Sequence, residues 1–149
     1  MKFALIICTY NRPQSIVQLL VSVEGQHLLP DKIIVVDGSP LRDKNLEDYN
    51  SKMPLTYYHV SEADRGLTKQ RNFGLSKVSP ETDIVCFLDD DVVLKPDYFQ
   101  QIIATFNSEN RCVGVGGYAI NEVNWNLCQK ESKVQRRMFY CDGYFRDEP

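Results

Sequence analysis

Residues 3–8, FALIIC, form an unbroken apolar run. A run without polar alternation marks a strand buried on both faces. KIIVVD at 32–37 is a second such strand, and LTYYHV at 55–60 and DIVCFL at 83–88 read as a third and a fourth strand. Between them the apolar period changes to that of a helix. Ile16, Val17, Leu20 and Val23 recur on one helical face. Pro13 suits the first turn of that helix and Gly25 its stop. RGLTKQRNFGLSKV, residues 65–78, predicts a second helix with Leu67, Leu75 and Val78 as its apolar positions. Pro96 opens a third, with Phe99, Ile102, Ile103 and Phe106 inward. The polar stretch 38–54 is turn-rich, with room for one short helix. CVGVGGYAI, residues 112–120, reads as a glycine-rich fifth strand, and after Ile120 the pattern weakens.

Strands that alternate with helices build βα units. The expected fold class is therefore α/β, a three-layer α/β/α Rossmann-like architecture with a mainly parallel sheet. A length of 149 residues fits one domain.

Charge and cysteine content narrow the function classes. The formal net charge is −3 with no basic block, so no nucleic-acid partner is expected. The longest apolar run is too short to cross a bilayer, and the N-terminal stretch lacks the h-region and cleavage site of a signal peptide. The five cysteines, Cys8, Cys86, Cys112, Cys128 and Cys141, are odd in number and form no CxxC. Together these features predict a reduced, cytoplasmic protein.

Polar residues collect where the strands end. Thr9, Tyr10, Asn11 and Arg12 follow the first strand, Asp37, Gly38 and Ser39 the second, and Asp89, Asp90 and Asp91 the fourth. In open α/β sheets ligands bind beyond the carboxyl ends of the strands. Taken singly, each cluster has a plainer meaning. Asp37 reads as the start of an Asx-turn, Asn11-Arg12-Pro13 as a helix start, and Arg65, Lys69 and Arg71 as a solvated helix face. Jointly they point to a ligand site. Three adjacent carboxylates are tolerable where a cation neutralises them. Mg²⁺ or Mn²⁺ would take oxygen ligands, commonly one or two carboxylates plus substrate phosphates. Along an extended segment Asp89 and Asp91 share a side and Asp90 takes the other.

The stretches LIICTYNRP, IIVVDGSP, ADRGLTKQRNFGL and FLDDDVVLKPDYF occur in the order and spacing of family 2 glycosyltransferases, which this chain resembles over residues 3–106. The resemblance implies the GT-A sheet, a nucleotide-sugar donor (a UDP-sugar being favoured), and transfer to an acceptor hydroxyl, by inversion, in glycan or polysaccharide synthesis. It implies that residues 1–120 form the nucleotide-sugar-binding core. Residues 121–149 would then begin an incomplete acceptor-side region. Thr9 and Tyr10 match positions lining the base pocket, with Arg12 beside them. Asp37 matches the acidic residue that meets base or ribose, and Arg71 an element near the nucleotide. Asp89 and Asp91 match a D-x-D pair, Asp89 towards the ribose and Asp91 on the metal, Mg²⁺ or Mn²⁺. Cys8 stands where the family often has proline. No residue matches the catalytic carboxylate; Asp142, Asp147 and Glu148 are candidates only by being acidic. The acceptor stays open among carbohydrate, lipid-linked sugar and protein, as do contact with the inner face of a membrane and self-association. The alternative is a truncated, non-catalytic nucleotide-sugar-binding module. A phospho-receiver domain would need carboxylates after the first strand, where this chain has CTYNR.

Overall fold

A computed structural model describes residues 1–49, 53–109 and 111–117. Four parallel strands, β1 (Phe3–Thr9), β2 (Lys32–Asp37), β3 (Leu55–His59) and β4 (Ile84–Asp89), form one sheet in the order β3-β2-β1-β4. The apolar runs become the two central strands: Phe3–Ile7 and Ile33–Val36 are all buried. β1 aligns Cys8 with Val36 on one side and with Asp89 on the other. That register brings the ends of β1, β2 and β4 level.

Helix α1 runs Pro13–Glu24, α2 is the single turn Lys44–Glu47, and α3 spans Leu67–Leu75. A 3₁₀ turn at Glu62–Asp64 precedes α3. Right-handed crossovers put α1 and α3 on opposite faces, because β1 to β2 steps one way and β3 to β4 returns the other. The layers are thus the α/β/α expected from the pattern. α1 buries Ile16, Leu19, Leu20 and Val23. Val17, expected inside, is 37% exposed; the i, i+3, i+4, i+7 stripe through Leu19 is the one that meets the core.

α3 departs further. Leu67 and Leu75 lie outside, and Gln70 and Gly74 are its buried residues. A Cβ at Gly74 would stand 2.6 Å from Cγ2 of Ile6 and 3.3 Å from Cγ2 of Val36. Glycine there lets the helix backbone lie directly on the sheet, and Phe73 packs beside it on the cluster of Ile6, Ile34, Val36 and Val60.

The chain divides into two compact units, Met1–Pro96 and Asp97 onward. In the second, α4 (Tyr98–Ser108) buries Phe99, Ile102 and Ile103. Residues 112–117 of the expected fifth strand are not strand; only Val115 makes an isolated bridge. The remainder of that segment, the region 121–149, Cys128, Cys141 and the acidic candidates Asp142, Asp147 and Glu148 lie outside the described residues. Among the described residues Cys8, Cys86 and Cys112 are free thiols. No helix among them is long and apolar enough to cross a membrane.

Candidate functional site

The strand order reverses at β1, with β2 on one side and β4 on the other. Such a switch point opens a crevice outside the carboxyl ends of the strands. Here it is an open cavity of about 540 Å³, lined among others by Thr9, Tyr10, Arg12, Gly66, Asp89 and Asp91.

Each wall has a local cause. After β1 the chain turns through Asn11 at φ 53°, a left-handed conformation that Asn tolerates better than most residues. The turn aims the Asn11 N–H at Ser39 Oγ, 2.9 Å away, joining the loops after β1 and β2. Opposite, Gly66 at φ 118° gives α3 its N-cap in a conformation a side chain would strain. Arg65, just before it, donates from Nε to the Gly38 carbonyl at 2.7 Å and lies 5.4 Å over the Tyr10 ring.

The three aspartates separate by face. Asp90 is 6% exposed and accepts from Thr9 Oγ1 at 2.7 Å. Arg12 Nη1 bridges it, at 3.2 Å, to Asp91, at 2.9 Å. Asp89 points to the α3 side, where Arg71 Nη2 meets it at 2.9 Å. Two guanidinium groups thus hold the three carboxylates together. Attraction to Asp90, and its hydrogen bond, are the leading reasons that the Arg12 guanidinium is raised above its ordinary range. Burial pushes the Cys8 thiol up to about 11, against the pull of Arg71, so the cavity wall presents a neutral thiol rather than a thiolate.

Asp37 has a different setting. It is 1% exposed and lies outside the cavity lining. Its Oδ1 accepts from the Ser39 backbone N–H at 2.8 Å and from the Ser39 hydroxyl, and its Oδ2 from the Tyr57 hydroxyl at 2.7 Å. This is the Asx-turn geometry, closed by a tyrosine from β3. Burial, then the bond to Asp37, raises the Tyr57 phenol well above its usual range.

The structure therefore brings Thr9, Tyr10, Arg12, Asp89 and Asp91 to one cavity. Arg71 reaches it through Asp89. Residues whose part the sequence did not reveal are Arg65, Gly66, Leu67 and Gln70. The i, i+3, i+4 spacing of Gln70, Phe73 and Gly74 was the available signal for α3's inner face, but glutamine is seldom buried.

For a divalent cation, no three or more His, Cys, Asp or Glu side chains among the described residues are placed to hold one by themselves. What the cavity offers is two exposed carboxylates, Asp89 and Asp91, each with one oxygen on an arginine. That donor set is too sparse for a protein-only cage. It fits a cation that completes its shell with ligand phosphates, as Mg²⁺ commonly does.

Residues 4–147 match the profile of glycosyl transferase family 2, and the chain belongs to that family. It is similar to the glucosyl-dolichyl phosphate glucuronosyltransferase of Haloferax volcanii, 28% identical over 80% of this chain and 39% of the relative. It is also similar to S. aureus TarS 1-349, with TM-score 0.64 and 26% identity over 82% of this chain and 39% of that one. TarS 1-349 solved in complex with UDP-GlcNAc superposes with TM-score 0.61 at the same identity, over 82% of this chain and 37% of that one. The four parallel strands and flanking helices are thus the GT-A type of sheet. The chain spans under two-fifths of the length of these relatives.

Proposed function

We propose that this chain binds the donor of a glycosyltransferase, a nucleoside diphosphate sugar with UDP as the favoured nucleotide, in the cavity at the β1/β4 switch point. The observation that carries the reading is the convergence there of Thr9, Tyr10, Arg12, Asp89 and Asp91, drawn from two strand ends far apart in sequence. The TarS complex with UDP-GlcNAc supports a UDP-sugar as the donor. Tyr10, under the Arg65 guanidinium, offers a face for the base. Arg12 and Arg71 supply positive charge for the diphosphate.

In this reading Asp89 and Asp91 hold Mg²⁺ or Mn²⁺ against the diphosphate. A bound cation of this kind neutralises charge developing on a leaving phosphate. The residues of this chain would orient the donor so that its anomeric carbon faces an acceptor hydroxyl, which is an entropic contribution to rate. Inverting transfer in glycan or polysaccharide synthesis, at the cytoplasmic side, is the activity the family membership favours.

Thermal shift with UDP tests the reading. A ligand that binds only the folded state raises the melting temperature by mass action, about 2.7 kcal/mol at one hundred times Kd. UDP with Mn²⁺ is expected to raise it, and excess EDTA to reduce the shift. No shift with any nucleoside diphosphate would refute donor binding. An equal shift with EDTA would refute the role of Asp89 and Asp91.

A further inference from the structure

Gln70 is 4% exposed, on the inner face of a helix whose leucines face outward. Its side chain reaches three segments at once. Nε2 donates to the Thr9 carbonyl at 3.0 Å and to the Val36 carbonyl at 2.9 Å. Oε1 accepts from the Gly66 N–H at 3.2 Å. The amide thus joins the end of β1, the end of β2 and the N-terminus of α3. All three of its hydrogen-bonding groups are used, which fixes the orientation of the amide.

The segments it joins carry the groups around Tyr10. Thr9 precedes Tyr10. Val36 lies two residues before Gly38, whose carbonyl holds Arg65, and Gly66 follows Arg65. The guanidinium of Arg65 sits over the Tyr10 ring. The carboxylates Asp89 to Asp91 are tied by Arg12, Arg71 and Thr9 instead, with no bond to Gln70 among the described residues.

We infer that Gln70 is a positioning residue that sets the spacing of Tyr10 and Arg65, and through it the choice of nucleobase. The inference rests on the donor-binding reading. Gln70 lines the cavity, but its amide is engaged with backbone groups rather than offered to base or phosphate. It acts by holding two backbone carbonyls and one N–H in register, so that the Tyr10 ring and the Arg65 guanidinium packed on it form one fixed wall of the cavity. Without it that wall can shift, and bases of different size fit alike. A role in stability alone would weaken every nucleotide equally, because all share the same phosphates.

The test measures affinities for UDP, ADP and GDP by calorimetry, in the wild type, Gln70→Leu and Gln70→Glu, below their melting temperatures. The wild type is expected to separate its preferred base from the others, and Gln70→Leu to shrink that spread by about tenfold. Should Gln70→Leu fail to fold, Gln70→Glu decides. Its carboxylate would face two carbonyl oxygens, and protonation restores one donor, so its spread relative to the wild type should recover as pH falls from 8 to 5.5. A spread unchanged in folded Gln70→Leu, a flat pH profile for Gln70→Glu, or a wild type that binds all three bases alike would overturn the inference. A wild type that binds none of them overturns the donor reading itself.

Discussion

Asp90→Ala should cost this protein stability, whereas Asp91→Ala, one residue on, should cost little. Asp90 is 6% exposed and Thr9 is 5% exposed, and 2.7 Å separates their oxygens. A hydrogen bond to a charged, buried acceptor contributes about 1.5–3 kcal/mol, and its removal leaves the Thr9 hydroxyl without that partner. The Arg12 contact adds little, because the Arg12 side chain is more than half exposed and solvent screens it. The expected loss is about 2–3 kcal/mol, or a fall in melting temperature of roughly 4–12 °C for a chain of this length. Among the described residues Asp91 meets only Arg12, and both are exposed, so its loss should barely move the transition. Scanning calorimetry and urea titration of both variants measure the difference. Thr9→Val completes a double-mutant cycle with Asp90→Ala, where a coupling of about 1–2 kcal/mol is expected. Equal melting temperatures for Asp90→Ala and Asp91→Ala, or additive effects in the cycle, would show that the Thr9–Asp90 bond does not carry this stability. In nucleotide binding the order reverses: with both proteins folded, Asp91→Ala should lose more metal-dependent UDP affinity than Asp90→Ala.

Asp37→Ala should lower stability by about 1–3 kcal/mol in urea titration, because Ser39 and Tyr57 lose their buried acceptor; unchanged stability would mean that Asp37 serves the ligand instead. Gly74→Ala should destabilise by about 1–3 kcal/mol, since its new methyl would meet Ile6 at 2.6 Å and push α3 off the sheet; a neutral result in the same titration would contradict that close approach. Stability should also erode at alkaline pH. Burial raises Cys8 and Cys86 from 9.0 to about 11 and raises Tyr57 as well. Each group binds its proton more tightly folded than unfolded, so the contribution of the two thiols is full below pH 9 and lost as pH climbs through 11, while that of Tyr57 is lost only at higher pH. Urea midpoints that stay constant from pH 8 to 11 would refute that.

The order of strands and helices was written in the one-dimensional pattern. Runs such as FALIIC and KIIVVD have no polar alternation, and only a strand covered on both faces keeps such a run from water. The same pattern put Thr9, Asp37 and Asp89 at strand ends, and parallel strands bring their ends to one edge. Family membership was legible too, because CTYNRP and FLDDDVV carry specific residues at specific spacings. What the pattern could not decide was which polar groups face each other. Val17 and Leu19 are equally apolar, and only the docking of α1 chose Leu19 for the core. Gln70 reads as a surface residue until the β1 and β2 carbonyls are seen beside it. Asp37 reads in sequence as an Asx-turn when taken alone and as a nucleotide contact by resemblance, and Asp90 as the aspartate that faces away from the Asp89/Asp91 pair. In the fold Tyr57 and Ser39 occupy the one, and Thr9 and Arg12 the other. Local sequence determines an element through short-range periodicity and backbone preference. The partner of a buried polar atom comes from tens of residues away, as with Thr9 and Asp90 at 81 positions' separation, so only the tertiary structure assigns it.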